Sequence, residues 1–257
     1  MDSAHIRVEL VDRVLGIVLD RPEKKNAISE AMYLDMAAAL RHAADEPGIR
    51  AVLLAGDGGH FSSGNDIADF LHPPDDIPNS PVGRFMSALV NCPKPIVAAV
   101  NGLAIGIGTT LLMHCDLVYA ASDARFRMPF VHIGGCPEFG ASLMLPALMG
   151  HQRAAELLLI ADIFDAATAR EYGMVNAVLS PDTVRAHAYA QALKLARQAP
   201  NALRVSKALL KRWTREAVAE AIRVEGEQFV ALLRQPEAAE AIDAFLHKRR
   251  ADFSRFS

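Results

Sequence analysis

Cysteine is scarce and scattered in this chain: Cys92, Cys115 and Cys136 make an odd set with no C-x-x-C pair and no Cys/His spacing that suits zinc. Neither a disulfide framework nor a metal site is expected, and a reducing compartment, the cytoplasm by default, is the expected location. Charge of one sign is lacking too. A formal net charge of -3 over 257 residues gives no electrostatic case for a nucleic-acid partner or an anionic membrane surface. Aromatic residues are few at 6%, whereas 51% of residues are apolar, the make-up of an Ala-rich globular protein and not of a disordered or fibrous one. The chain has no G-x-S-x-G elbow, which disfavours a nucleophilic hydrolase, and no G-x-G-x-x-G fingerprint, which disfavours a dinucleotide site. The opening MDSAHIRVEL carries an early acidic residue and no apolar leader run, and the closing SRFS matches no targeting tail. Internal repeats and low-complexity tracts are absent as well.

What stands out against these absences is Lys94 to Asp116, KPIVAAVNGLAIGIGTTLLMHCD. From Pro95 to Val100 it is short, rich in β-branched residues and closed by the turn signal Asn101-Gly102, which predicts a strand buried on both faces. The second half is expected to be a helix. Gly106 and Gly108 weaken a helix, so another reason is needed, and close approach of a ligand to backbone N–H groups at the helix start supplies one. Free donors and a positive dipole end there stabilise developing negative charge. Ile96 to Cys115 has about the 20-residue length of a membrane span, but the glycines interrupt it and it stands alone, so no membrane partner is expected.

Along the rest of the chain, Ile6–Leu10 and Val14–Leu19 suggest a hairpin about Asp12-Arg13, and Ser29-Glu30 opens an amphipathic helix ending near Pro47. Ala51–Ala55 reads as a buried strand leading into the glycine-rich loop GDGGHFSSGND. The four prolines of FLHPPDDIPNSPV, residues 70–82, predict a mobile loop that gates a pocket, and a short helix follows to Asn91. Further strands are expected at Asp116–Ala121, Ala124–Met128 and Met174–Leu179, with helices over 139–149, 151–160 and 166–172. From Asp182 onward only helices are expected, broken at Pro200 and Pro236, with apolar stripes at Leu193, Ala196, Leu203, Leu209 and Leu210. The alternation predicts a parallel-type α/β core with a helical tail that either packs on that core or joins copies together.

FSSGNDI at 61–67, KPIVAAVNGLAIGIG at 94–108 with the following CDLVYA, AFLHKRRADF near the end and RPEKKNAIS near the start together resemble the crotonase (enoyl-CoA hydratase/isomerase) superfamily. Within it, NGLAIGIGTTLL, MPFVHIGGCPE and PNALRVSK are most similar to the delta-3,delta-2-enoyl-CoA isomerases. The resemblance implies a crotonase-like (ClpP/crotonase) α/β spiral of ββα units over residues 1–180, with the CoA-binding and catalytic site, and a helical trimerisation region over 181–257. It implies an acyl-CoA thioester substrate, no cofactor beyond the coenzyme A of that substrate, and a homotrimer or dimer of trimers.

By the same resemblance the thioester oxygen lies between the backbone N–H groups of Asn65 and Ile107. Ser63, Gly64, Asp66, Ile67 and Gly106 complete the binding segments, and Lys24, Lys25 and Lys248, with Arg249, are candidates for the coenzyme's phosphates. A run such as HKRR is equally a solvated helix face, Asp66 is equally a helix cap, and His114 and His132 read as hydrogen-bonded core groups. Hydratases of the superfamily use two glutamates; at the matching positions this chain has Thr110 and Phe130, neither an acid or base at neutral pH. Glu138 lies where the similar isomerases place a single catalytic glutamate, although after Pro137 it also fits the first turn of a helix. The function implied is isomerisation of 3-enoyl-CoA to 2-enoyl-CoA in unsaturated fatty acid oxidation. The alternatives are another crotonase reaction, such as hydration or acyl-CoA hydrolysis, or acyl-CoA binding without catalysis.

Overall fold

The first strand alternates apolar and polar residues, and the second is a nearly continuous apolar run that is almost wholly buried. The computed structural model describes residues 4–66 and 76–256. Strands β1 (Ile6–Val11) and β2 (Val14–Leu19) pair antiparallel about Asp12 and Arg13, whose φ values of 49° and 67° form the tight hairpin turn. Helix α1 (Glu30–Asp45) starts as expected, with the Ser29 side chain accepting from the Met32 N–H. Strand β3 (Ala51–Gly56), helix α2 (Pro81–Asn91), strands β4 (Ile96–Val100) and β5 (Leu103–Ile105), the one-turn helix α3 (Ile107–Thr110) and strands β6 (Leu117–Ala121) and β7 (Arg125–Arg127) follow. Next come α4 (Ala141–Met149), α5 (His151–Ala155), β8 (Phe164–Asp165), α6 (Ala166–Glu171) and β9 (Ala177–Leu179). Four helices close the chain: α7 (Val184–Ala196), α8 (Pro200–Arg212), α9 (Arg215–Leu233) and α10 (Pro236–Leu246).

The main sheet has the order β1-β2-β3-β4-β6-β9, parallel from β2 onward, and β5, β7 and β8 form a small second sheet. Every residue of β3 and β4 is buried, because both faces are covered. Side chains alternate with period 2: Val52, Leu54, Ile96 and Ala98 enter the large core, while Leu53, Ala55, Val97 and Ala99 meet α7. That helix meets the sheet through Val184, Ala188, Ala192 and Ala196, small residues one turn apart that let the backbones approach. Of the expected apolar stripe, Ala196 makes this contact and Leu193 does not, while Leu209 and Leu210 on α8 are 55% and 84% exposed. Asp116 ties the sheet to the tail: its carboxylate accepts from the Ile96 N–H and from buried Lys207 of α8, each at 2.7 Å.

Two expectations need correction. Lys94 to Asp116 does not pass from strand to one long helix; a second strand, β5, intervenes, α3 lasts one turn, and a 3₁₀ segment, Leu111–His114, completes it. β5 forms by parallel pairing with β7, Leu103–Ile105 against Arg125–Arg127, and Ser62 adds a bridge to Ala104, interactions between separate segments that no local pattern announces. Glu138 does not start a helix either: Gly140 is the cap of α4, and Phe139 with φ 60° and Gly140 with φ 79° turn the chain before it. Of the expected proline loop at 70–82, residues 70–75 lie outside the described residues, as does Ile67, while residues 77–79 form a turn and Pro81 and Val82 already belong to α2.

Candidate active site

Two loops converge at the C-terminal ends of the parallel strands. After β3 the chain runs through residues 57–66, anchored by Asn26, a fully buried residue whose side-chain amide donates to the Asp57 and His60 carbonyls at 2.9 and 2.7 Å. The loop then lies along β5, the Ser62 N–H donating to the Leu103 carbonyl and the Ile105 N–H to the Ser62 carbonyl. Gly64, φ 91°, sits where the segments touch: a Cβ there would be 2.8 Å from the Ile105 carbonyl oxygen. Gly106, at φ 56° and ψ -123°, adopts a backbone conformation that only glycine enters freely.

These contacts orient the two expected donors. The Ile28 N–H donates to the Gly64 carbonyl and the Asp66 N–H to the Ile28 carbonyl, so the intervening Asn65 N–H faces the other way. The Gly106 N–H is used by the Arg127 carbonyl, and Ile107 is the first residue of α3. Neither the Asn65 nor the Ile107 N–H donates to another described residue. A one-turn helix adds little macrodipole, so charge stabilisation here rests on the two N–H groups themselves. Tyr33 of α1 fixes the Asn65 side chain by donating to its Oδ1.

Glu138 faces the same pocket as Asn65 and Tyr33 and is 7% exposed. Burial chiefly, and the nearby carboxylate of Glu225 next, raise its pKa to about 8, with the Thr110 hydroxyl opposing weakly through a 3.4 Å bond to Oε1. Glu225 reaches in from α9, itself buried, accepting from the Ser142 N–H at 2.8 Å and from the Gly140 N–H. His114 braces the turn from the other side. Burial lowers its pKa to about 4, and since a carbonyl only accepts, its neutral ring donates from Nε2 to the Phe139 oxygen at 2.7 Å. The ring also stacks on Phe139, with centroids 4.1 Å apart. Thus residues 136–142 are held by two buried side chains, and Glu138 is set by its backbone.

Other expected residues are placed less centrally. Ser63 joins the 21–26 turn, its N–H donating to the Lys25 carbonyl and its hydroxyl to the Lys24 carbonyl, which brings both lysines to the edge of the 61–66 loop. Asp66 is ion-paired with Arg21 at 2.7 Å. Lys248, exposed after α10, shares no hydrogen bond or ion pair with residues 21–66 among the described residues, and Arg249 is bound to Glu240 and Asp243. His132 is exposed beside Arg127, not a core group. Thr110 and Phe130 are buried, and Phe130 packs edge-on against Phe229. Sequence reasoning missed Tyr33, Asn26, Arg21 and Glu225; of these only Asn26 and Arg21 lay within a noted motif, RPEKKNAIS. Glu30, exposed at the start of α1, also lines the pocket. Among the described residues no cluster of His, Cys, Asp or Glu is arranged to hold a metal, and no helix is long and apolar enough to cross a membrane.

Comparison with known proteins agrees with this fold. The enoyl-CoA hydratase/isomerase family model matches residues 9–255. The peroxisomal enoyl-CoA delta isomerase 3 of Mus musculus is 34% identical over 257 residues, covering 96% of this chain and 80% of that protein. The crotonyl-CoA hydratase of Syntrophomonas wolfei is 31% identical over 257 residues, covering 98% of this chain and 99% of that protein. Among solved structures, Pseudomonas aeruginosa OdaA superposes with a TM-score of 0.93 at 49% identity, over 95% of this chain and 100% of that one. With a family model matched over nearly its whole length, relatives above 30% identity and a shared α/β fold, the chain belongs to the enoyl-CoA hydratase/isomerase family of the crotonase superfamily.

Proposed function

We propose that this protein isomerises 3-enoyl-CoA to 2-enoyl-CoA, with Glu138 carrying the proton and the N–H groups of Asn65 and Ile107 receiving the charge on the thioester oxygen. The observation that carries this reading is that Glu138 is the one buried carboxyl lining the pocket among the described residues. Its carboxylate removes a proton from C2, the electron pair delocalises through the thioester and the adjacent double bond, and the same group returns the proton at C4. A pKa near 8 suits both halves: the base is stronger than an ordinary carboxylate, and the acid still donates. Thr110 engages Oε1 and leaves Oε2 for the substrate. Each backbone donor is worth roughly 10²–10³ in rate.

Hydration is the second reading, and the specific observation favouring it is Glu30 in the same pocket, a second carboxyl able to meet a water. Product analysis from 3-hexenoyl-CoA separates the two. Isomerisation gives a conjugated thioester of unchanged mass, hydration adds one water, and hydrolysis frees coenzyme A. A hydrated product formed with no 2-enoyl thioester would overturn the isomerase reading, as would binding without turnover of any enoyl-CoA.

A further inference from the structure

Ser62 is neither of the two donor residues, yet both donor segments rest on it. It is fully buried. Its hydroxyl donates to the Asn26 carbonyl at 2.9 Å and accepts from the Gly64 N–H at 3.1 Å. The second bond is the turn a serine makes with the N–H two residues on, and it satisfies a buried donor one peptide before that of Asn65. The Ser62 N–H and carbonyl are bound to Leu103 and Ile105, on either side of Ala104, at 2.9 and 3.0 Å, which pins the residue against β5.

The other donor segment touches Ser62 through Gly108. A Cβ at 108 would stand 3.0 Å from the Ser62 carbonyl oxygen and 3.1 Å from the Ser62 Cβ, so this glycine lets α3 lie directly on the serine. Helix α3 is held in that place by the Gly106 N–H, which donates to the Arg127 carbonyl at 2.8 Å, and by the buried Thr109 hydroxyl, which donates to the Ala104 carbonyl. Ile107 is therefore fixed through both of its neighbours. We propose that Ser62 is a positioning residue that sets the separation and aim of the Asn65 and Ile107 N–H groups on the thioester oxygen. A misplacement of about 1 Å is enough to cost about 10²-fold in rate, so a buried hydroxyl beside one donor and under the other acts without touching substrate. This inference rests on the proposed pairing of those donors with an acyl-CoA thioester.

Infrared difference spectra of bound hexanoyl-CoA, isotopically labelled at the thioester carbonyl carbon, read donor alignment directly, because hydrogen bonds to that oxygen lower its stretching frequency. In wild type the band is expected below its position in water. Ser62→Ala removes the hydroxyl. Gly108→Ala keeps it, suits a helical position and presses α3 away from Ser62. Both variants are expected to return the band part of the way to its position in water. Both are also expected to lower kcat for 3-hexenoyl-CoA by about 10- to 100-fold, short of the 10²–10³ of a donor lost outright, with little change in KM. Leu53→Ala, on the far face of the sheet against α7, is a destabilised control expected to leave the band unmoved. An unmoved band in Ser62→Ala would overturn the proposal, whether or not kcat and the melting temperature fall, and would leave Ser62 a structural residue only. A band that moves as far in Leu53→Ala would overturn it too, and should Ser62→Ala not fold, Gly108→Ala decides by the same criterion. If hexanoyl-CoA does not bind, or its band does not move in wild type, the donor pair and this inference fall together. If the band moves in wild type and relaxes in both variants while 3-hexenoyl-CoA is not isomerised, Ser62 keeps its role and only the reaction falls.

Discussion

A carboxyl that keeps its proton to about pH 8 in the folded chain, against 4.5 when free in solution, makes folding depend on pH. Between those values the folded state binds a proton that the unfolded state has released, so the contribution of Glu138 to stability falls as pH rises and its loss is complete above about 8. Glu138→Gln removes that cost. Thermal melts are expected to show the variant more stable than wild type at pH 8.5, by an amount on the order of a few kcal/mol, and little different near pH 4; an equal gap at both pH values would contradict this. Glu225 acts on the same group through charge and through the turn it braces. Glu225→Gln is expected to move the rise of kcat/KM with pH, near 8 in wild type, to lower pH. A lower rate with an unmoved profile would mean that Glu225 only holds the backbone.

At the scale of elements, the contact between the 57–66 loop and β5 assembles the two donors, and Gly64 is its closest point. Gly64→Ala forces a Cβ to within 2.8 Å of the Ile105 oxygen at a φ of 91°. It is expected to cost about 1–3 kcal/mol in urea unfolding and, on the proposed role of the two donors in the transition state, to lower kcat more than it raises KM. The strands were legible in the sequence where a run of β-branched residues met a turn signal, as at Ile96–Val100, and Ser29 announced α1. The resemblance singled out Asn65 and Ile107 as donors, and both N–H groups are without a partner among the described residues. β5 and β8 were not legible, being two or three residues long and defined by partners far away in the chain. Glu225 was hidden for a related reason: in sequence it is one acidic residue on a charged helix, and only the packing of α9 against α4 brings it to Gly140 and Ser142. The left-handed turn at Phe139 followed from no local preference and instead reflects the bond from His114.

For the whole molecule, the tail divides its work. Helix α7 completes the sheet's second face and α9 walls the pocket, while α8 turns Val205, Leu209 and Trp213 outward along one face, 54%, 55% and 86% exposed. A trimer-based assembly is the expected use of that face. Light scattering should give a multiple of three of the 27.8 kDa chain, and Leu209→Glu with Trp213→Glu should lower it; a monomer mass for wild type would contradict the assembly. The assignment of proton transfer to a single carboxyl is tested most directly by comparing Glu138→Gln, Glu30→Gln and wild type in the conversion of 3-hexenoyl-CoA to 2-hexenoyl-CoA. Loss of about 10²–10⁴-fold in Glu138→Gln, with Glu30→Gln close to wild type, is the predicted result, and a Glu138→Gln enzyme that moves the double bond at the wild-type rate would contradict it.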